Sequence, residues 1–319
     1  MMTYAERILV GVNGSEGSAA AIRFAAREAV RRDIGLRLVH VMPDYVPVAP
    51  MYPPFYELTP EDVQSAGRKI LEDAARQARQ YAACDRITTA LLPGERVSAL
   101  VEEARRAELL VLGDERMPFL ERIMVGTTID GIAARCPVPT VVVAPSWSGA
   151  PERRVVVVGI RSAAHSAALI EAGLLAARSR KAKLVLAHGW DLPGLEDDDI
   201  GRTMDRQLWM EEEWQAIAEA AASLRDVYCD VDVEIRVVHG KPSTVLKRLS
   251  EEADLLILAR RHHPFPAGHL GETGRTLLRT AACPVEVLPP TPEWATATVP
   301  HPRAEESSVP IETSTVRAE

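Results

Sequence analysis

One short segment carries residues whose types and spacing suit an anion-binding site. Gly126, Thr127 and Thr128 open a predicted short helix that ends at Cys136 and Pro137. A helix N-terminus leaves free N–H groups and a partial positive charge, so this arrangement favours phosphate. Alternatively, Gly126 only permits a tight turn and one threonine caps the helix. Local signals alone favour the second interpretation, because Gly-Thr-Thr before a helix is common.

The elements around this segment predict a parallel sheet. Apolar runs predict strands at 8–12, 36–41, 86–92, 109–112 and 140–143, and the stretches between them predict helices at 15–32, 61–84 and 97–107. Strands that alternate with helices pair in parallel, with helices on both faces. Ligands bind beyond the carboxyl ends of such strands, where Asn13, Val41 and Gly113 fall. The proline-rich segment 43–60 is either a lid, a contact surface or a connector.

The chain repeats itself at an offset of about 147 residues. ILVGV at 8–12 returns as VVVGI at 156–160, and ARCPV at 134–138 returns as AACPV at 281–285. A period this long makes each copy a complete domain. We therefore predict an α/β protein of two tandem doubly wound parallel-sheet domains, at 1–148 and 153–290. Residues 146–152 would link them, and residues 291–319, rich in Pro, Ser, Thr and Glu, are predicted to be disordered.

Composition narrows the function classes. The 319 residues suffice for two domains, and a formal charge of −8 argues against a general binder of nucleic acid or anionic membranes. No apolar run reaches the roughly 18 residues of a membrane span, and no signal peptide is evident, so we expect a cytoplasmic protein. The four cysteines form no C-x-x-C pair, which predicts reduced, structural thiols.

Four segments in order, ILVGVNGSEGS, LVHV, the loop from VLG to GTT, and CPVPTVVVAP, resemble the universal stress protein family in its tandem form. The resemblance extends from residue 6 to about 289. It implies an adenine nucleotide alpha hydrolase-like, Rossmann-like fold in each copy. In ATP-binding members the nucleotide loop reads G-x-x-G, nine residues, then G-[S/T]. The first copy matches this spacing, but Arg116 stands at the second glycine.

The resemblance implies a nucleotide site in the first copy only. Its residues are Asn13, Val41, Gly113, Arg116, Gly126, Thr127 and Thr128. Val41 would line the adenine, Gly113 would approach the ribose and phosphates, and residues 126–128 would hold phosphate oxygens. Asn13 replaces the family's acidic residue, so it can bond a hydroxyl but lacks the charge that helps to hold Mg²⁺. Arg116 either covers the phosphates or blocks the approach that glycine allows.

The second copy departs further from the family pattern. Arg161 occupies the acidic position, Ala259 and His262 replace the loop glycines, and Glu272 follows Gly271 where a hydroxyl would face phosphate. We expect this copy to bind no ATP and to act as a structural partner. Family members pair through the last strand, so strands 140–143 and 284–288 are expected to pair within the chain. Homodimerisation stays open.

Other chemistries are less favoured. The sequence contains no P-loop, no G-x-G-x-x-G and no hydrolase elbow. His262, His263, His269 and the acidic run 193–199 read as surface groups more readily than as metal ligands, so no metal or catalytic residue is assigned. His40 and His188 are expected to make structural hydrogen bonds. Trp209 and Trp214, on a predicted helix 205–225, are expected in the core or an interface.

The function predicted is regulatory binding of ATP, with or without Mg²⁺, or of a related adenine nucleotide by the first domain, in a stress-response protein. The alternative is an interaction module that binds no nucleotide. A slow ATPase would need a general base or positioned charge, which the sequence does not identify.

Overall fold

A computed structural model describes residues 7–42, 59–81, 86–114, 122–150, 152–163, 166–191, 203–224, 226–260 and 270–290, except the side chains of 122–127 and 203–209. The strands are β1 Arg7–Gly11, β2 Gly35–Met42, β3 Ile87–Pro93, β4 Leu109–Gly113, β5 Thr140–Val143, β6 Val155–Gly159, β7 Lys183–Trp190, β8 Val233–His239, β9 Leu255–Ala259 and β10 Val285–Leu288. The helices are α1 Glu16–Arg32, α2 Pro60–Ala78, α3 Arg96–Ala104, α4 Arg122–Arg135, α5 Ala167–Arg180, α6 Thr203–Ala222, α7 Pro242–Ser250 and α8 Glu272–Thr280.

The ten strands of the described residues form one sheet, in the order β3-β2-β1-β4-β5-β10-β9-β6-β7-β8. The first half, β1 to β5, and the second half, β6 to β10, are each parallel, and the predicted pairing of their last strands is present. β5 and β10 meet antiparallel, with Val142 opposite Val285 and Thr140 opposite Val287. The predicted architecture of two tandem doubly wound domains is confirmed.

The strand at the centre of each half is an almost continuous apolar run because helices cover both faces. Ile8 and Val10 of β1 are fully buried, as are Val156 and Val158 of β6. On one face, α1 contacts β4 and α2, while α3 and α4 pack together elsewhere in the first half. Three clusters of buried apolar side chains therefore fill the space between sheet and helices.

Two helices of the first half end earlier than predicted. The structure ends α2 at Ala78, where the prediction ran to 84, and α3 at Ala104, where the prediction ran to 107. After Ala78 the backbone forms turns, and the half-buried Tyr81 hydrogen-bonds Arg23 of α1 at 3.3 Å. This tertiary contact overrides the local helical propensity of the segment.

The predicted linker 146–152 is packed onto the first half. The Trp147 ring meets Phe24 of α1 edge to face, with centroids 5.5 Å apart. Arg23 donates to the Trp147 carbonyl at 2.8 Å, and Arg27 donates to the Gly149 carbonyl at 2.6 Å. These contacts fix the path along which the chain crosses α1 into β6.

A buried charge cluster joins the halves. The Glu28 carboxylate on α1 is 1% exposed and accepts from Arg180 of α5 at 2.7 Å, Arg32 at 2.8 Å and Arg31 at 3.2 Å. Burial alone would raise the pKa of Glu28, but the positive charges of Arg180, Arg32 and Arg31 together lower it. Glu286 on β10 is also buried, and desolvation raises its pKa.

Several sequence predictions lie outside the described residues. These are segment 43–58 of the proline-rich stretch, Cys84, Arg116, the acidic run 193–199, the side chain of Trp209, the three histidines 262, 263 and 269, and the tail 291–319.

Candidate functional site

Three of the predicted nucleotide-binding residues meet at one edge of the sheet. β1 lies between β2 and β4, with Gly11 opposite both Val39 and Leu112. Asn13 follows the end of β1, while Val41 and Gly113 stand at the ends of β2 and β4. In a doubly wound sheet this is the point at which the strand order reverses, and a crevice forms there beyond the strand ends. Val41 is buried, and Asn13 is exposed.

Gly113 is required by close packing. A Cβ atom on Gly113 would lie 2.1 Å from the carbonyl carbon of Gly17, in the first turn of α1, and a Cβ on Gly17 would lie 2.4 Å from the Asp114 carbonyl oxygen. Only glycine at both positions allows this approach. The contact places the N-terminus of α1 directly beside the end of β4.

Asn13 is held by the turn that starts α1. Its Oδ1 atom accepts from the Ser15 backbone N–H at 3.1 Å, the Ser15 hydroxyl at 2.7 Å and the Ser18 hydroxyl at 2.5 Å. Because the Ser15 N–H can only donate, the atom that faces it must be the amide oxygen. The Nδ2 group is therefore the part of this side chain that can donate to a ligand.

The predicted start of the fourth helix is wrong. α4 begins at Arg122, so Gly126, Thr127 and Thr128 lie inside it and neither threonine is its N-cap. Arginine, isoleucine, methionine and valine at 122–125 are all compatible with a helix, and an interior glycine costs only about 1 kcal/mol. The free N–H groups of this helix consequently belong to residues 122–125. Thr128 is half-buried on the second turn.

The expected structural role of two strand-end histidines is confirmed. The Nδ1 atoms lie 2.7 Å from the Val12 carbonyl oxygen in His40 and 3.0 Å from the Ile160 carbonyl oxygen in His188. Each ring thus ties its strand to the end of the neighbouring strand. Desolvation by burial lowers the pKa of His188, which favours the neutral ring.

Comparison with known proteins identifies the family. The model of the universal stress protein family matches residues 5–144 and 152–289. The chain belongs to the universal stress protein family.

Similar proteins share the tandem length. Two universal stress proteins of Mycobacterium tuberculosis (strain ATCC 25618 / H37Rv) are each 29% identical to this one, over 294 and 302 residues, and the alignments cover 88% of this chain and 96% and 95% of theirs. A universal stress protein structure from Archaeoglobus fulgidus DSM 4304 shares the fold, with a TM-score of 0.60, 15% identity, and coverage of 89% of this chain and 98% of its own.

The second half of this universal stress protein differs from the first at the corresponding strand ends. Gly189 stands where the first half has Val41, and a Cβ on it would lie 2.9 Å from the Cα of Pro242. Beside it the rings of Trp190 and His239 meet edge to face, with centroids 4.6 Å apart. α8 begins at Glu272, which places a carboxylate in its first turn. The second half thus carries a different set of residues at the matching strand ends.

The second half contains an apolar pocket of about 150 Å³ between α5, α6 and β8. Its lining residues are Ile170, Leu174, Trp214, Ala218, Ala221, Tyr228, Val233 and Ile235. Trp214 is 42% exposed and lines this pocket, so of the two expected places, the core and an interface, the core is excluded.

Cysteines and acidic residues supply no metal site within the described ranges. No group of three His, Cys, Asp or Glu side chains that could hold a metal ion occurs among those residues. Cys136 and Cys283 are buried, and burial raises the pKa of both thiols, to about 12 for Cys283. Cys229 is a free cysteine and is exposed. Among the described residues, the helices lack the combination of length and apolar composition that a membrane span requires.

Sequence reasoning missed two residues that shape the site. Gly17 lies in a turn that predicts a helix start, and nothing in the sequence points to its contact with Gly113. Arg260 directly follows β9 and reaches the end of α4 in the other half, with its Nη1 atom 3.0 Å from the carbonyl oxygens of both Ala133 and Cys136. Both contacts join segments that are remote in sequence.

Proposed function

We propose that the first half of this universal stress protein binds ATP or a related adenine nucleotide in the cytoplasm, for regulation and not for turnover. The observation that carries the proposal is the convergence of Asn13, Val41 and Gly113 at the strand-order reversal. Adenine would lie against buried Val41, and the exposed Asn13 amide would donate to a ribose hydroxyl. The boundaries 1–148 and 153–290 for the two domains belong to the same proposal.

The phosphates would lie toward α4. Thr128 supplies a half-buried hydroxyl there, and the free N–H groups of residues 122–125 supply a partial positive charge. Gly126, Thr127 and Arg116 complete the proposed set. Because the Asn13 oxygen already accepts three hydrogen bonds, it is a poor ligand for Mg²⁺, and the proposal needs no metal.

The start of α4 at Arg122 also favours a second candidate, an interaction module without nucleotide. In that case Gly113 serves only the packing of α1 on β4, and Asn13 serves only the turn. The second half keeps the same parallel strand order with different residues at these strand ends, so the fold does not depend on the site residues of the first half.

Calorimetric titration of the full chain with ATP separates the two candidates. Thr128→Val removes the hydroxyl that would donate to a phosphate oxygen and keeps the shape of the side chain. Loss of a hydrogen bond to a charged group costs about 1.5–3 kcal/mol, which corresponds to a roughly 10- to 150-fold weaker Kd. Thr273→Val, the same change at the matching position of α8, is the control and should leave the Kd unchanged. Cyclic AMP and AMP are titrated alongside ATP because they share its adenosine.

The absence of any binding heat, together with no co-purifying nucleotide by mass spectrometry of the denatured protein, would replace the nucleotide proposal with the interaction module. Equal effects of the two threonine variants would remove α4 from the site.

A further inference from the structure

The C-terminal part of α4 is held by two arginines of the second half. Arg260 donates from Nη1 to the carbonyl oxygens of Ala133 and Cys136, at 3.0 Å each. Arg279 on α8 pairs with Asp130 of α4 at 2.5 Å. Three side-chain contacts thus cross from the second half to one helix of the first.

The Arg260 contact satisfies groups that would otherwise lack partners. The last carbonyls of a helix have no N–H within the helix, and a cation beside them also interacts favourably with the helix dipole. Ala133 and Cys136 are 2% and 1% exposed, so water has little access to this end of the helix. Removal of the guanidinium leaves buried acceptors unpaired, which carries a desolvation cost.

Arg260 is itself fixed in place. Its backbone N–H donates to the Leu288 carbonyl at 2.9 Å, so it is anchored where β9 runs beside β10. The side chain is half-buried, and this burial lowers its pKa, although a guanidinium remains charged in proteins. A movement of β9 relative to β5 would consequently be transmitted to α4.

The residue at the matching position of the first half is of a different type. The matching position of the first half, directly after β4, is Asp114, which cannot donate to helix carbonyls from its carboxylate. The residue directly after β9, in the segment that matches the start of the nucleotide loop in the first half, therefore serves as a clamp on the first half.

We propose that Arg260 and Arg279 act as positioning residues for α4, through which the second half sets the nucleotide affinity of the first. The nucleotide part of this inference rests on the proposed function. Thr128 precedes Ala133 by five residues, about 7.5 Å along the helix, so both belong to one short rigid segment. Coupling of binding free energies is reciprocal, so nucleotide in the first half should in turn stabilise the second.

Hydrogen exchange of the full chain, with and without ATP, tests the proposal. In the wild type, ATP should slow exchange in α4 and also in β9 and α8. Arg260→Ala should speed exchange at 130–136 by about tenfold, weaken ATP binding several-fold, and remove the ATP-induced protection of β9 and α8. Arg260→Lys keeps the charge and should recover part of each effect. Arg248→Ala, an exposed arginine on α7, is the control and should change none of them.

Arg279→Ala, at a 53% exposed side chain, provides a second variant that should fold normally and show the same effects at smaller size. Wild-type exchange at 130–136 in both variants would overturn the clamp. Equal ATP protection of β9 and α8 in wild type and Arg260→Ala would overturn the coupling. If the wild type binds no nucleotide, the proposed function fails, and exchange at 130–136 still decides whether the second half holds α4.

Discussion

Replacement of Glu28 tests how much the buried charge cluster stabilises the junction between the halves. Glu28 accepts from three arginines, but these differ in exposure. Arg31 and Arg32 are 26% and 31% exposed and can turn to water when the carboxylate is removed. Arg180 is 5% exposed and would stay buried without its counter-ion. Glu28→Ala should therefore act mainly through Arg180.

The magnitude follows from that difference. Removal of one partner of a buried pair costs about 3–5 kcal/mol, whereas exposed pairs contribute about 0–1 kcal/mol. We expect Glu28→Ala to lower the free energy of unfolding by about 3–5 kcal/mol at neutral pH. The matched control is Asp73→Ala on α2, whose pair with Arg76 is exposed on both sides, and it should cost under about 1 kcal/mol.

Urea unfolding of the full chain, followed by circular dichroism, measures these differences. The double variant Glu28→Leu with Arg180→Leu removes both buried charges, and should cost less than Glu28→Ala alone because apolar packing replaces the pair. The pKa of Glu28 is lowered, so its contribution is present above the unfolded pKa and is lost as pH falls through the folded pKa. A cost below about 1 kcal/mol for Glu28→Ala, or a double variant as unstable as the sum of both single leucine variants, would refute this reasoning.

Three further changes test other features. Burial raises the pKa of Glu286, so ionisation of this carboxyl group opposes folding above the folded-state pKa. Glu286→Gln should therefore raise the urea midpoint of unfolding at pH 8. This gain should vanish below the unfolded-state pKa of about 4.5. Gly113→Ala should cost about 1–3 kcal/mol in the same assay because its Cβ meets backbone atoms, whereas Gly271→Ala, with nothing within 4 Å, should be nearly neutral. Ala218→Leu should fill part of the apolar pocket and raise the free energy of unfolding by about 1 kcal/mol; a lower thermal midpoint would mean that the pocket is too narrow.

The positions of the strands along the chain, and their burial, could be predicted because both leave a strong local signal. Buried parallel strands read as continuous apolar runs, as in VVVVG of β6, and the repeat of the pattern fixed the number of domains. The pairing of the last strands followed from the resemblance to the family. Each of these inferences uses either a short window or a whole-chain comparison.

The start of α4 could not be predicted because residues 122–125 have no strong preference against a helix and the Gly-Thr-Thr signal competes with them. The contact of Gly17 with Gly113 and the clamp by Arg260 depend on which segments the fold brings together. Arg180 and Glu28 are likewise 152 residues apart. No local pattern in the sequence specifies such pairs. The sequence therefore suggested individual candidate residues of the site, but it did not suggest the contacts that hold them in place.

The antiparallel contact of β5 with β10 affects the order in which the protein can be completed during translation. β5 is finished at Val143, but its neighbour β10 begins only at Val285, so the ribosome must add more than a hundred residues before that edge is covered. At about 5–20 residues per second the wait lasts on the order of ten seconds. Throughout it, the nascent chain presents Thr-Val-Val-Val as an unpaired β-strand edge, a composition prone to pair with other chains. Chaperone contact during synthesis should therefore concentrate on this segment.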